Sequence, residues 1–359
     1  MKVAQVCSGF YPHIGGVETV VKEMSERLSR NGFEVEVLTQ SRSVESPLTE
    51  TINGVVVRRF KTGPLGLDLL FLKGTLREYL KENSNKYDLI HAHGYHAFSP
   101  LYAALAKGRN KLVFNPHYHG IGHNLVMTFL LKPYHHIGKV TFERADKIVC
   151  VSETEKSIIQ RHFSVPQSKI TVISNGIDQV TISQSIPFSV EGQLLLYVGR
   201  LEKFKNIHLA IQALAYLPAE YRLMIVGNGP YKGKLLQLID ELHLADKVQI
   251  LSGLTNEEVR RWYKTCAAVI TLSSQEAFGL TVIEGLAAGK PVIVNNKMAL
   301  AELAAKLDGV YAIEAEKLTS RQLAERMTQI CESKVSLADL SEYSWDSIVE
   351  RVKLLYESL

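Results

Sequence analysis

The sequence predicts an α/β protein made of two doubly wound, Rossmann-like domains, each built around a parallel sheet. Short apolar strand patterns alternate with helical patterns along almost the whole chain, as in consecutive βαβ units. That series begins a second time near residue 194. A chain of 359 residues with 46% hydrophobic content is also long enough for two cores. We place the first domain over 1–180 and the second over 181–344.

The first series of strands starts at the N-terminus, and a helix near residues 16–31 follows its first strand. The predicted strands are VAQVC, EVEVLT, VVVRRF, DLIHAH, KLVFNP, KIVCVS and ITVIS. The next segment, NGIDQVTISQSIPFSVEG, is rich in glycine, serine and turn-forming residues and lacks a helical period. We interpret it as the linker between the domains.

The second series starts at residue 194, and a helical pattern follows each of its strands. The predicted strands are LLLYVG, RLMIVG, KVQILSG, AVITLS and PVIV. The last segment, 345–359, carries apolar residues at roughly helical spacing, namely Ile348, Val349, Val352, Leu355 and Leu359. This pattern predicts an amphipathic helix that needs a partner surface.

Charge, cysteine spacing and the lengths of the apolar segments argue against a nucleic-acid binder, a C-x-x-C protein and a membrane-spanning protein. The net charge of +4 is too small for a dedicated nucleic-acid binder, although it suits a protein that handles anionic phosphates. No C-x-x-C spacing links the cysteines, which are Cys7, Cys150, Cys266 and Cys331. The N-terminus lacks the apolar region of a signal peptide, and no segment approaches the ~20 apolar residues that span a bilayer. We therefore expect a cytoplasmic protein that does not cross a membrane.

Two glycine-rich turns follow predicted strands. Gly15 and Gly16 in YPHIGGVE would let the backbone approach a ligand at a helix N-terminus. Gly227, Gly229 and Gly233 in VGNGPYKG imitate a dinucleotide-binding loop. However, this loop lies in the second βα unit of its domain, and no acidic residue ends the next strand to hold a ribose. The pattern therefore argues against a nicotinamide dinucleotide site.

Histidines are concentrated in the first domain, where eight of the 12 lie between His91 and His136. An H-x-H pair at a strand end is typical of some zinc-dependent hydrolases. Those enzymes need further histidine or carboxylate ligands on later strands, which here end in glycine, arginine and glutamate. We therefore favour a protein without a metal cofactor, with a histidine metal site as the alternative.

Two basic residues follow the first strand of the second domain. Arg200 comes just after LLLYVG, at the sheet edge where α/β folds bind ligands, and Lys205 starts the next helix. Two cations at one strand end indicate an anion such as a diphosphate, and fixed cations stabilise charge that grows on a leaving diphosphate. The alternative is a solvated basic turn.

Two carboxylates flank the start of a later helix in SSQEAFGLTVIEGLAAGKPVIV. Glu284 lies within an apolar helical segment, where a buried carboxylate needs hydrogen-bond donors such as sugar or ribose hydroxyls. Glu276 precedes the helix N-terminus, whose free N–H groups favour an anion. The alternative is that Glu284 is an exposed residue on an otherwise buried helix.

These motifs resemble those of the retaining glycosyltransferases of family 4, which have the two-domain GT-B fold. Glu276 and Glu284 occupy the acidic positions of the family's E-x7-E signature, with FGL, EG, AG and PV in their expected places. Arg200 and Lys205 match its G-R-L-x-x-x-K pattern, and the first loop matches P-x-x-GG-x-E. One departure is Asn206, where the family usually has glycine. The matches follow in order along nearly the whole chain.

The resemblance implies how the domains share the work. Two domains would face each other across a cleft, with the donor chiefly on the second and the acceptor entering from the first. The helix 345–359 would pack back on the first domain. Arg200 and Lys205 would clamp the donor diphosphate, and Glu284 would bind the ribose. The loop with Gly15 and Gly16 would lie over the phosphates and the acceptor.

The resemblance also implies a set of residues around the sugar and the base. Glu276 and the backbone after it would hold the donor sugar, and His117, or else His119, would contact it near the reacting carbon. Leu254 and Asn256 would contact the base. The predicted catalytic residues are His117, Arg200, Lys205 and Glu276. The predicted substrate-binding residues are Gly15, Gly16, His119, Leu254, Asn256, Phe278, Gly279, Leu280 and Glu284.

The function implied is the retaining transfer of a sugar from a UDP-, GDP- or ADP-sugar to a glycan or a lipid-linked acceptor, without a metal. A hydrolysing sugar-nucleotide epimerase and a non-catalytic nucleotide-sugar-binding subunit are the alternatives. The segments 69–82 and 125–139 mix apolar and basic residues. They suit peripheral contact with a membrane as well as burial in the core.

Overall fold

A computed structural model of the chain divides it into two compact units. Unit 1 comprises Met1–Gly176 and Trp345–Leu359, and unit 2 comprises Ile177–Ser344. The residues that the structure describes are 1–12, 15–41, 48–62, 75–120, 135, 137–333 and 338–359.

The boundary between the units lies before Ile177, earlier than the predicted position near residue 180. Gly176 belongs to unit 1 because it packs directly against Trp345, whose indole a Cβ atom at position 176 would overlap. Unit 2 then begins with a capped helix, since the Asp178 carboxylate accepts a hydrogen bond from the Thr181 backbone N–H at 3.1 Å.

The described part of unit 1 contains an eight-stranded sheet in the order β3-β4-β2-β1-β5-β6-β7-β8. Its strands are β1 Lys2–Cys7, β2 Glu34–Ser41, β3 Thr49–Ile52, β4 Val55–Lys61, β5 Leu89–His93, β6 Lys111–Asn115, β7 Lys147–Cys150 and β8 Ile170–Val172. The pairs are parallel except for the antiparallel pair of β3 and β4. Strand β3 was not predicted, and Asn53 and Gly54 form the turn between it and β4 with positive φ angles.

Helices cover the sheet of unit 1, and the last of them comes from the C-terminal end of the chain. Their bounds are α1 Gly16–Arg30, α2 Leu76–Asn83, α3 Ser99–Ala106, α4 Glu153–Phe163 and α12 Trp345–Glu357, and residues 137–144 are also helical. The apolar face of α12 joins α1 and β1 in one buried cluster that includes Leu28, Val3 and Val352. The amphipathic pattern of the final segment thus finds its partner surface in unit 1.

A chain of hydrogen bonds between buried polar side chains also fixes α12 to the sheet. His93 Nε2 lies 2.7 Å from Gln5 Oε1, Gln5 Nε2 donates to the Tyr356 hydroxyl oxygen at 3.2 Å, and that hydroxyl lies 2.7 Å from His91 Nδ1. Because the amide nitrogen of Gln5 can only donate, the Tyr356 hydroxyl is free to donate to His91. The chain therefore runs in one direction from His93 to His91.

The described part of unit 2 contains a six-stranded parallel sheet in the order β11-β10-β9-β12-β13-β14. Its strands are β9 Gln193–Val198, β10 Tyr221–Val226, β11 Val248–Leu251, β12 Ala268–Thr271, β13 Val292–Asn295 and β14 Val310–Ile313. Strand β14 was not predicted. The strand order reverses between β9 and β12, and such a switch point leaves a crevice at the carboxyl ends of the strands.

The helices of unit 2 connect these strands. They are α5 Gln179–Gln184, α6 Ile207–Leu214, α7 Lys232–Glu241, α8 Asn256–Thr265, α9 Leu280–Ala287, α10 Met298–Lys306 and α11 Ser320–Cys331. The buried cluster of the unit includes Leu195 of β9, Ile211 of α6 and Met327 of α11. Across the described residues of both units, no helix is long and apolar enough to cross a bilayer.

Candidate functional site

Two loops meet at the switch point of the unit 2 sheet. One follows β9 and carries Arg200 and Lys205, and the other follows β12 and carries Glu276. The backbone N–H and the hydroxyl of Ser274 both donate to the carbonyl oxygen of Phe204, at 2.9 and 3.2 Å. These bonds tie the loops together, so residues about 70 positions apart in the chain share one edge of the sheet.

Lys205 and Glu276 form an ion pair at this edge. Their side chains are only 17% and 21% exposed. Arg200, in contrast, is 73% exposed, and its Nε lies 3.1 Å from a carboxylate oxygen of Glu202. The structure therefore brings the predicted residues Lys205 and Glu276 into contact, while the Arg200 guanidinium remains accessible to an anionic ligand.

The backbone at position 206 explains how this chain tolerates Asn206 where the family usually has glycine. Its φ angle is 55°, in the left-handed region that glycine adopts without strain. Asparagine tolerates this region better than most residues. The turn between Lys205 and α6 thus keeps a glycine-like backbone despite the substitution.

Glu284 lies on α9 and is half-buried rather than exposed. The hydroxyl of Tyr263, near the end of α8, donates a hydrogen bond to its Oε2 atom at 2.7 Å. Burial raises the pKa of the Glu284 carboxyl, whereas the bond from Tyr263 and the charge of Arg260 act in the opposite direction. Sequence reasoning missed Tyr263, although its place in α8, seven residues after Asn256, could have been read as a buried helical position.

The start of α9 is shaped by Gly279, which has a φ angle of 104° and caps the helix. Phe278 before it is buried, with its ring 6.0 Å from that of Tyr343. Only the backbone of Phe278 can therefore face a ligand, as the resemblance implies. Leu280 is the first residue of the helix and is half-buried.

The residues predicted to contact the base follow strand β11 of unit 2. Leu254 is half-buried and Asn256 is exposed, in the loop and first turn after β11. Strand β10 lies between β11 and β9 in the sheet. A capping box between Thr255 and Glu258 begins α8 at this point.

The glycines of VGNGPYKG have a structural role beside Arg200. A Cβ atom on Gly227 would overlap the carbonyl oxygen of Gly199, and one on Gly229 would overlap the backbone of Leu201. Gly233 has open space around its Cα atom. The first two glycines therefore let this loop pass against the backbone on either side of Arg200.

The carboxylate of Glu18 packs against the predicted glycine loop of unit 1. Gly15 precedes α1, and its Cα atom lies so close to Glu18 that a Cβ there would overlap the carboxylate. Gly16 has open space instead. The intervening residues His13 and Ile14 of the motif lie outside the described residues.

His117 follows β6 and has a φ angle of 49°, which is rare for a residue with a side chain. Burial lowers its pKa to about 4, so the imidazole is neutral at neutral pH. The next backbone N–H, that of Tyr118, donates to the buried carboxylate of Glu155, which also accepts from Val151 at 2.6 Å. Burial raises the pKa of Glu155 to about 8.

Other histidines stack beside His117. The ring of His93 lies 4.2 Å from that of His91 and 6.0 Å from that of His117. The second candidate, His119, stacks on His96 at 5.0 Å. Within the described ranges, no group of three or more histidine, cysteine, aspartate or glutamate residues is arranged to hold a metal ion.

The segments considered for membrane contact are only partly described. Residues 69–74 and 125–134 lie outside the described residues. The rest of the first segment includes α2, in which Leu76 and Leu80 are buried in unit 1.

Comparison with known families decides the identity. The model of Glycosyltransferase Family 4 matches residues 14–180, and that of the Glycosyl transferases group 1 matches residues 178–346. The two matches follow one another and span almost the whole chain. The chain belongs to the family 4, group 1 glycosyltransferases.

Known proteins resemble this glycosyltransferase over most or all of their length. D-inositol 3-phosphate glycosyltransferase of Thermobispora bispora is 26% identical, and the match covers 95% of this chain and 89% of the relative. Sucrose-phosphate synthase of Thermosynechococcus elongatus has a TM-score of 0.81 at 20% identity, covering 99% and 98%. Anabaena HepE, in complex with UDP and glucose, has a TM-score of 0.80 at 20% identity, covering 100% of both chains. The solved structures share the GT-B fold.

Proposed function

We propose that this glycosyltransferase transfers a sugar from a nucleoside diphosphate sugar to a glycan or lipid-linked acceptor, with retention of anomeric configuration. The observation that carries the proposal is the Lys205–Glu276 ion pair beside the accessible Arg200, at the switch point of the unit 2 sheet. A cation held at that edge suits a diphosphate, and a carboxylate beside it suits sugar hydroxyls. The UDP and glucose bound by Anabaena HepE support the same class of donor.

The proposed reaction needs no covalent intermediate with the protein. The bond between the anomeric carbon and the diphosphate oxygen breaks, and its electron pair stays on the diphosphate. The acceptor hydroxyl attacks the same face of the sugar and passes its proton to that oxygen. Negative charge therefore grows beside Arg200 and Lys205, which stabilise the transition state more than the ground state.

The kinetics of site variants test these roles. Arg200→Ala and Lys205→Ala should lower kcat and kcat/KM together, by about a hundredfold if each resembles a lost oxyanion donor. Glu284→Ala should act mainly through weaker nucleotide binding, because the ribose does not change in the reaction. Glu276→Ala and His117→Ala should impair transfer but leave the affinity for free nucleotide nearly unchanged. Wild-type rates for both cation variants would refute the proposal.

The donor nucleotide can be identified before any acceptor is known. A thermal-shift panel of UDP, GDP and ADP should give one clear stabilisation, since a ligand at a hundred times its Kd stabilises by about 2.7 kcal/mol. Product analysis with the matching sugar nucleotides then separates transfer from the epimerase and binding-subunit alternatives. Acceptors to test include glycans, lipid-linked sugars and the inositol phosphate named for the Thermobispora relative.

We also propose that transfer requires no metal, because Arg200 and Lys205 can neutralise the leaving diphosphate. Activity should survive EDTA. Complete loss on chelation, with recovery on adding zinc or manganese, would favour a histidine metal site instead.

The proposed location is the cytoplasm, where the four free cysteines would stay reduced. A lipid-linked acceptor would bring the protein to the membrane surface. Flotation with anionic liposomes at low salt tests this contact. Failure to co-migrate would favour a soluble glycan acceptor.

A further inference from the structure

The turn after Lys205 depends on a side chain where the family usually has glycine. Asn206 is buried and left-handed, and it lies between the clamp lysine and the first residue of α6. Asparagine is tolerated in the left-handed region because its short side chain can form hydrogen bonds. We therefore expect hydrogen bonds of the Asn206 amide to hold this turn in place. A buried amide also needs acceptors, because an unpaired donor costs about 1–3 kcal/mol.

The amide of Asn206 has two acceptors. Its Nδ2 atom donates to the carbonyl oxygen of Leu272 at 3.0 Å and to Oε1 of Glu316 at 3.0 Å. Leu272 follows β12 and leads into the loop that carries Glu276. Asn206 therefore connects the lysine side of the ion pair to the backbone on its carboxylate side.

Glu316 is the centre of this arrangement. Its carboxylate also accepts from Asn295 Nδ2 at 3.1 Å and from Lys297 Nζ at 2.9 Å. Burial opposes ionisation of Glu316, but the bonds from Lys297 and Asn295 hold its pKa below the usual value. Glu316 is thus an ionised acceptor that joins the turn after β9 to the ends of β13 and β14.

We infer that Glu316 is a positioning residue that acts through Asn206 to hold Lys205 against Glu276. The inference rests on the proposed function at one point, namely that Lys205 binds the donor diphosphate together with Arg200. Glu316 itself touches no part of the Lys205–Glu276 pair in the described contacts. Two side chains connect Glu316 to this part of the site: Asn206, which directly follows Lys205, and Asn295, whose Nδ2 atom also donates to the Leu272 carbonyl oxygen at 3.2 Å. We assign the effect on transfer to the Asn206 turn because it is the one adjacent to Lys205.

A double-mutant cycle tests this path. Glu316→Gln, Asn206→Gly and the double variant are compared for kcat, for KM of the sugar nucleotide selected by the panel, and for melting temperature. Glu316→Gln should lower kcat by about tenfold, and Asn206→Gly by about threefold, because glycine adopts the turn without locking it. The double variant should be no slower than Glu316→Gln alone. Effects that Asn295 carries independently of Asn206 are the same in both arms of the cycle and cancel in the coupling between the two substitutions.

Two outcomes would overturn the inference. If the two single effects multiply in the double variant, Glu316 does not act through Asn206. If Glu316→Gln lowers only the melting temperature and leaves kcat unchanged, its role is purely structural. Lys297→Ala is the matched control, since it removes one bond to Glu316 but leaves that of Asn206, and its kcat should stay within about twofold.

Lys205→Ala separates this inference from the proposed function. In that background Glu316→Gln should have no further effect on kcat, because the residue it positions is absent. If Lys205→Ala alone transfers at the wild-type rate, the clamp assignment fails whatever Glu316 does. If Lys205→Ala is slow and Glu316→Gln slows it further, only the positioning role fails.

Discussion

The hydroxyl of Tyr263 lies 2.7 Å from Oε2 of Glu284 and donates a hydrogen bond to it. Tyr263 is buried near the end of α8, and Glu284 is the fifth of the eight residues of α9. The bond fixes the direction of the carboxylate and stabilises its charged form against burial. Both effects suit the proposed role of Glu284, which is to accept hydrogen bonds from the ribose of the donor.

Tyr263→Phe should therefore weaken nucleotide binding. A hydrogen bond to a charged group contributes about 1.5–3 kcal/mol, so we expect Kd for the selected nucleotide to rise roughly tenfold or more. The phenyl ring keeps the packing, so kcat at saturating donor should change little. Calorimetry measures the affinity, with Tyr216→Phe at an exposed position as the control. An unchanged Kd would mean that the bond from Tyr263 does not prepare Glu284 for nucleotide binding.

Gly229 and Gly233 form a matched pair for a second prediction. Gly229→Ala should destabilise unit 2 and slow transfer, because its Cβ would displace the Leu201 backbone beside Arg200. Gly233 lies inside α7 with open space around it, so Gly233→Ala should stabilise the helix by about 0.5–1 kcal/mol. Chemical denaturation and initial rates compare the two. Equal effects of both substitutions would contradict the close approach of the loops.

Acid should destabilise unit 1 through its buried histidines. Burial lowers the pKa of His91 to about 3 and that of His117 to about 4. The unfolded chain therefore binds more protons than the folded one below pH ~6.5, and stability falls as pH drops from there towards those values. Each such histidine contributes up to about 1.4 kcal/mol per pH unit in this window.

Urea unfolding at several pH values between 7.5 and 5 measures this loss. His91→Gln should flatten the dependence by about 1–2 kcal/mol over that range, since its amide does not titrate. His243→Asn, at an exposed position, serves as the control for the loss of one histidine. A wild-type slope in His91→Gln would show that this imidazole charges freely in the folded state.

Glu155 holds the loop that carries His117, so Glu155→Ala should affect unit 1 alone. The substitution leaves the N–H groups of Tyr118 and Val151 without their carboxylate acceptor, at about 1–3 kcal/mol each. The substitution also removes the free-energy cost of burying the Glu155 carboxyl group, which offsets part of this loss. We expect slower transfer with nucleotide affinity within about twofold of wild type.

Glu153→Ala, on the exposed start of the same helix, is the control for that experiment. Calorimetry reports on the proposed nucleotide site in unit 2, and transfer kinetics report on the proposed role of the loop in unit 1. Weaker nucleotide binding in Glu155→Ala would contradict the assignment of the nucleotide to unit 2.

Local patterns predicted most of the strands and the charged residues at their ends. Strand β3, TETI, was missed because it is an edge strand with no buried residue, so it has little apolar pattern. Strand β14 is also a four-residue edge strand, as is β11, which the pattern did predict. Arg200 and Lys205 could be placed because they directly follow an apolar strand. The positions of Tyr263, Glu155 and Glu316 depend instead on partners far along the chain, as with the 110 residues between Asn206 and Glu316. No local spacing encodes such contacts.

Helix α12 completes unit 1 although the whole of unit 2 precedes it in the chain. During synthesis, the apolar face that includes Val3 and Leu28 is made long before Val352 can cover it. At about 5–20 residues per second, the delay between Leu28 and Val352 is roughly fifteen to sixty-five seconds. Unit 2 has all of its residues by then. We therefore expect the core of unit 1 to close only after every residue of unit 2 has been made, although unit 1 comes first in the chain.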